Sequence, residues 1–167
     1  DANYEFNYSK INNQAVKEAK GEYIVLLNND TEIITPHWLQ IMVGYAMQPH
    51  IGAVGTKLLY PDNTVQHAGI ILGIGGIAQH CFIDNPRDDV GFYGRLSVPF
   101  NYSAVTAACL MVSKEKYLEV NGLEEDLQVA FNDVDFNLKL LKQGYYNICL
   151  NHVELYHHES KSRGDDT

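Results

Sequence analysis

The sequence of 167 residues has no apolar run approaching ~18 residues, so no helical membrane span is expected in it. Basic residues are scarce: 12 Lys and Arg against 21 Asp and Glu give 12 − 21 = −9 as the formal charge. A general nucleic-acid binder draws affinity from Lys and Arg on phosphates, and this balance excludes that class. The 3 cysteines (Cys81, Cys109 and Cys149) are odd in number, scattered, and lack a C-x-x-C. They read as reduced thiols of a cytosolic domain, not as a disulfide frame or a zinc site. There is no internal repeat, no low-complexity tract and no G-x-x-x-x-G-K-[ST] phosphate loop. With 46% hydrophobic and 20% charged residues, the composition is that of an ordinary globular domain with a real core. The chain opens on Asp1 and stops soon after Ser160-Lys161-Ser162-Arg163, which reads as a piece of a longer protein.

Local patterns divide the chain into alternating elements. Ser9 is placed to cap a helix running to about Lys20, closed by Gly21. Glu22 to Leu27 is a short, β-rich apolar run and so a buried strand, and Asn28-Asn29-Asp30-Thr31 is a turn. Thr35-Pro36 opens a second helix that reaches about Met47, with Pro at its first position. Residues 52–60 and 65–72 read as strands around a turn at Pro61–Asn63, the antiparallel part of the sheet. Residues 73–104 are rich in Gly, Pro, Asn and Asp and read as a long flexible loop, a kind that often carries function. Ala104 to Val112 reads as a strand, Lys114 to Val120 as a short helix, 133–143 as a helix stopped by Gly144, and Tyr145 to Leu150 as a last strand. The alternation predicts an α/β fold: a mixed, mostly parallel sheet flanked by helices.

Three clusters hold chemistry. Asn28-Asn29-Asp30 ends an apolar strand, at the edge where open α/β sheets bind ligands. A carboxylate there can hold a divalent cation, with phosphate oxygens completing the shell; Asn-Asn-Asp is also plain turn chemistry. Asn132-Asp133-Val134-Asp135 opens a helix, where acids also serve as caps. At ~100° per residue, Asp135 and Lys139 share a polar arc, whereas Asp133 falls between two apolar rows. Asp135 therefore reads as a solvated partner of Lys139, and Asp133 as the inward carboxylate, the candidate general base. His157-His158-Glu159-Ser160-Lys161-Ser162-Arg163 offers an imidazole for metal and a guanidinium for phosphate, or is a polar mobile tail. Gly73-Ile-Gly75-Gly76-Ile-Ala78 fits the dinucleotide spacing, but no helical pattern follows it, so it reads as loop. His37, His50, His67, His80 and His152 read as packing or surface residues.

Taken in order, these segments resemble a family 2 glycosyltransferase of the GT-A type, closest to rhamnosyltransferase-like members of bacterial polysaccharide assembly. The resemblance rests on Asn7 to Ala15, Ala19 to Ile33, Ala104 to Val112, Asn121 to Glu125, Phe131 to Phe136 and His157 to Gly164. It implies a GT-A-like fold lacking its N-terminal βαβ part, so that 1–167 would be the metal, acceptor and catalytic-base side of the domain. The implied reaction is inverting transfer from a nucleotide-diphospho-sugar donor to a saccharide or lipid-linked acceptor, with Mg²⁺ or Mn²⁺ as cofactor. The implied roles are Asp133 as general base, Asp30 and His157 as metal ligands, and Asn28, Asp30, Lys161 and Arg163 as donor contacts. Lys161 and Arg163 would sit in a mobile C-terminal segment, 157–167, that covers the donor. Tyr93 and Tyr102 of the 73–104 loop would be available to stack on sugars. Asn28 and Asn132 stand where the family carries acids. These changes, and the missing nucleotide side, lead us to expect weak or no activity from the piece alone. They also keep open a non-catalytic carbohydrate- or nucleotide-binding module derived from the same fold. The implied location is cytoplasmic, at or near the inner face of the membrane, with peripheral association through the rest of the protein.

Overall fold

The structure is a computed structural model and describes residues 6–73 and 76–158. Helix α1 spans Tyr8–Glu18, followed by strands β1 (Tyr23–Leu27) and β2 (Thr31–Ile33) and helix α2 (Trp38–Ala46). Strands β3 (Ile51–Leu59), β4 (Val65–His67), β5 (Ile70–Leu72) and β6 (Ala78–His80) come next, then a 3₁₀ turn at Phe92–Gly94 and strand β7 (Pro99–Tyr102). The chain continues through β8 (Cys109–Ser113), α3 (Lys114–Glu119), α4 (Asn132–Lys142) and β9 (Tyr146–His157).

The sheet runs β1-β8-β3-β9-β2, with β4 added on β3 and β7 on β9. It is mixed, as the sequence predicts, but its parallel share is smaller than expected. Among the described residues β3 and β9 pair in parallel, and the other pairs in the sheet are antiparallel. The reason is connectivity. Strands β3 and β4 are joined by a short turn, and β2 and β7 each reach β9 from the opposite direction, which permits only antiparallel pairing.

Alternation of side chains builds a core on both faces. Ile24, Leu26, Leu110, Val112 and Cys149 pack with Val16 of α1, Tyr117 of α3, and Phe136 and Leu140 of α4. Val54, Leu58, Cys109 and Met111 face the other way, against Trp38, Met42 and Ala46 of α2. Adjacent residues of one strand serve opposite layers, as a period of two requires.

Element ends differ from the sequence reading in instructive ways. Asn7, not Ser9, caps α1, its side chain accepting from Lys10 N at 2.9 Å. Ser9 is buried and donates to Leu127 O at 2.8 Å. Helix α2 starts after His37, which takes a left-handed conformation (φ 59°) beyond Pro36. The 65–72 run is split at Gly69, whose φ of 105° no β-strand residue adopts and whose missing side chain lets the Tyr102 ring lie against the backbone. Residues 73–104 contain β6, the 3₁₀ turn and β7, and β6 folds back on β5 as a hairpin where a dinucleotide site would need a helix.

Candidate active site

Leu27 pairs with Cys109, Gly55 with Leu110, and β3 runs parallel to β9. These registers bring the carboxyl ends of β1, β3 and β9 and the amino end of β8 to one edge of the sheet. That is the edge at which α/β sheets bind ligands.

The 28–30 turn carries the chain from β1 to β2, which lie at opposite sides of the strand order. Asn28 N–H extends the β1–β8 ladder by donating to Ala108 O at 3.0 Å. Thr31 Oγ1 donates to Asn28 O at 2.8 Å and closes the turn. Thr31 then pairs with His157, and His158 N–H donates to Asp30 O at 2.9 Å. The side chains meet as a result: His157 Nε2 is 3.1 Å from Asn28 Nδ2 and 3.2 Å from Asp30 Oδ1. Both partners are shielded from solvent, with 24% of the Asp30 side chain and 12% of the His157 side chain exposed.

His157 is the last residue of a strand, not part of a tail. Strand β9 continues past Leu150 because Asn151, His152 and Val153 bulge between the partners of Thr56 and Lys57. The bulge reverses the alternation, so that Ile148 and Leu150, but then Val153 and Leu155, pack toward α2. His157 follows on that second phase. Lys161 and Arg163 lie outside the described residues.

Asp133 stands in the first turn of α4 and reaches inward, as the helical wheel predicts. Its Oδ2 accepts from Ala107 N at 3.1 Å, and its Oδ1 from Val134 N at 2.8 Å. Each oxygen keeps a further lone pair. Asp135 points out and pairs with Lys139 at 2.7 Å. Asn132 is buried and donates toward Leu127 O (3.5 Å) and Val129 O (3.4 Å), a tether for the preceding loop. Asp133 and the Asn28–Asp30–His157 group are joined through one short piece of chain: Ala107 N–H binds the first and Ala108 O the second.

Four residues that the sequence did not assign to the site build this region, His67 among them having read as packing or surface. Asn137 is fully buried and clamps Val105 from both sides, accepting from its N–H at 3.2 Å and donating to its O at 3.0 Å. Tyr8 donates to Ala107 O at 3.3 Å, and its phenol is pushed up to about 12, by burial first and then by the Asp133 carboxylate. Gln66 contacts His157 Nδ1 through Oε1 at 2.7 Å. His67 Nε2 accepts from Gly69 N at 3.3 Å and Thr106 N at 3.4 Å. The one signal for the last two was a pair of polar residues inside the apolar run Val65 to Leu72. Of the tyrosines expected to face sugars, Tyr93 is exposed, whereas Tyr102 is buried beneath Gly69 and beside Phe100, because β7 is part of the sheet.

His157 Nε2 and Asp30 Oδ1 face each other across 3.2 Å, an arrangement that suits a shared proton or a cation. Among the described residues no group of three His, Cys, Asp or Glu is gathered as a metal site. A cation here would need oxygens from a ligand or water to fill its shell.

A family model described as glycosyl transferase family 2 matches residues 5–115. The chain is 49% identical over 162 residues to uncharacterized protein y4gI of Sinorhizobium fredii (strain NBRC 101917 / NGR234), covering 96% of this chain and 18% of that protein. It is 42% identical over 168 residues to O-antigen biosynthesis protein RfbC of Myxococcus xanthus, covering 96% of this chain and 13% of that protein. The chain thus spans less than a fifth of the length of either curated relative. Among solved structures it is similar to GalNAc-T7 with UDP, GalNAc and Mn²⁺, at a TM-score of 0.73 and 12% identity over 96% of this chain and 32% of that chain. It is also similar to mannosyltransferase PcManGT from Pyrobaculum calidifontis with GDP-Man and Mn²⁺, at a TM-score of 0.63 and 18% identity over 96% of this chain and 39% of that one. At these identities the likeness is one of fold, the GT-A type of α/β domain.

Proposed function

This chain belongs to glycosyl transferase family 2, and from that premise we propose that it carries the metal, acceptor and base side of an inverting sugar transferase. The donor is a nucleotide-diphospho-sugar, and the acceptor a saccharide or lipid-linked saccharide of a bacterial surface polysaccharide. The observation that carries the reading is the contact of Asp30 with His157 at 3.2 Å, at the same sheet edge as an anchored Asp133.

Asp30 and His157 would hold Mg²⁺ or Mn²⁺, and Asn28 beside them contacts the donor. When bound, the cation offsets diphosphate charge and stabilises the leaving group. Asp133 is held in one pose by two backbone N–H groups, and a remaining lone pair takes the proton of an acceptor hydroxyl. That oxygen forms its bond to the anomeric carbon as the bond to the diphosphate oxygen breaks, which inverts the configuration. Two relatives in fold were solved with Mn²⁺ and a nucleotide or nucleotide sugar, and one relative in sequence is named for O-antigen biosynthesis, which supports donor and pathway class. Lys161 and Arg163 are assigned to the donor's phosphates on their charge and their place after His157. We place the reaction at the cytoplasmic face of the membrane. No helix among the described residues is long and apolar enough to cross it, and we assign peripheral association to the rest of the protein.

Calorimetric titration with nucleoside diphosphates and Mn²⁺, followed by transfer assays on a panel of nucleotide sugars, tests the reading. Mn²⁺-dependent binding that is lost in Asp30→Ala and in His157→Ala is expected. Nucleotide binding that is independent of Mn²⁺ and unchanged in both variants would defeat it. Donor binding with no transfer by the full-length protein would instead favour a binding module.

A further inference from the structure

We propose that Gln66 is the positioning residue for His157: it fixes the imidazole in the Nδ1–H tautomer and turns a bare Nε2 toward Asp30. The inference rests on the reading of His157 as a metal ligand, and extends it to the residue that prepares the ligand.

Strand β4 carries a bulge. Leu58 of β3 pairs with His67, but the next residue, Leu59, pairs with Val65. Gln66 is the extra residue, left out of the ladder. Bulges of this kind re-aim side chains beside functional sites. Here the re-aimed side chain runs to the end of β9, far from it in sequence, and is only 5% exposed. Gln66 Oε1 lies 2.7 Å from His157 Nδ1, and Gln66 Nε2 donates toward His157 O at 3.5 Å. One amide thus grips both the ring and the main chain of the same residue.

The chemistry of the grip decides the tautomer. An amide oxygen accepts and cannot donate, so His157 Nδ1 carries the hydrogen. In the neutral ring Nε2 is then bare, and it is the atom that faces Asn28 Nδ2 and Asp30 Oδ1. Metal-binding histidines are commonly oriented through their second nitrogen, and loss of that partner costs about 10- to 100-fold in metal affinity. Gln66 is itself held in place on its main chain, its O lying 3.2 Å from His80 Nδ1.

The test combines ¹⁵N NMR of the imidazoles, recorded well above the ordinary imidazole pKa, with Mn²⁺ titration followed by electron paramagnetic resonance. Wild type is expected to show His157 as a single Nδ1–H tautomer. Gln66→Met, close in volume, should mix the tautomers and weaken Mn²⁺ binding about 10- to 100-fold. Gln66→Glu, which keeps an acceptor for Nδ1–H, should retain both. Circular dichroism checks that each variant is folded. An Nε2–H tautomer in wild type overturns the proposal without any variant. So does a Gln66→Met protein with the wild-type tautomer and affinity. Failure of the metal reading looks different: wild type and His157→Ala would bind Mn²⁺ equally poorly, while the tautomer still depended on Gln66.

Discussion

Asp133 is the residue on which the proposed chemistry turns, and its surroundings define what a substitution would do. Its two backbone bonds fix the carboxylate, and neither involves the Asn28–Asp30–His157 group directly. Asp133→Asn keeps one oxygen to accept from a backbone N–H and sets an NH₂ against the other, a local loss of one bond, and should keep the Mn²⁺-dependent nucleotide affinity. Turnover in the full-length protein should fall about 10²–10⁴-fold, the usual contribution of a general base. Turnover and calorimetry on the same preparation check this, and equal losses in both would mean that Asp133 acts in binding. The sequence made Asp133 legible because a helix has a fixed period: Asp135 shares an arc with Lys139, and Asp133 cannot. Asp30 was legible as the polar end of an apolar strand. Gln66 was not, because a bulge is a choice of hydrogen-bond register, and no local pattern in Val65-Gln66-His67 announces it.

Among the elements, the segment 104–108 matters most. It reads as strand in the sequence, since Ala104 to Val112 is a continuous apolar run. Only Cys109–Ser113 forms strand β8, while Ala104 makes an isolated bridge with Ile70 and Ala108 O accepts from Asn28 N. Two side-chain facts explain the rest. Asn137 takes both backbone groups of Val105, so they are not available to a neighbouring strand. Gly55 has no Cβ, and one built there would fall 2.6 Å from Val105 Cβ, so this contact is open to Gly alone. The same Asn137 donates to Asp133 O at 2.7 Å, so one amide sets both the loop and the turn carrying the proposed base. Asn137→Ala leaves buried groups of Val105 without partners. It should cost about 1–3 kcal/mol in urea unfolding. It should also lower kcat more than it changes Mn²⁺ affinity, because the metal-side contacts run through β9 and the 28–30 turn. The length of β9 was illegible for a related reason: Asn151-His152-Val153 breaks the alternation that would have carried the strand to His157, and only pairing with β3 and β2 restores it.

For the molecule as a whole, buried charge and buried imidazole set the response to acid. Lys57 is 5% exposed at its side chain and pairs with Glu154 at 2.7 Å, and Arg87 meets the other Glu154 oxygen at 2.8 Å. Burial pushes the Glu154 carboxyl up, but the hydrogen bonds and charges of Lys57 and Arg87 outweigh it, and the net shift is downward. Its stabilisation is therefore present above the ordinary carboxylate range, about pH 4.3, and is lost as pH falls through the lowered folded value. Glu154→Gln leaves the Lys57 charge buried without its counter-ion, and should cost about 3–5 kcal/mol near neutral pH. His67 acts earlier in an acid titration. Burial, with His80 and His157 adding, holds its imidazole well below the ordinary range. Protonation at Nε2 would also oppose the N–H groups of Gly69 and Thr106. Because the folded value is the lower one, the unfolded chain takes the proton first. Stability is whole above about pH 6.5 and declines below it, by up to about 1.4 kcal/mol per pH unit from this group. Urea midpoints measured from pH 8 to 5 should fall below about pH 6.5. His67→Gln, whose amide oxygen can still accept from Gly69 and Thr106, should flatten that fall, while Glu154→Gln should lower the curve without changing its slope there. A wild-type slope that survives in His67→Gln would assign the acid response to another group.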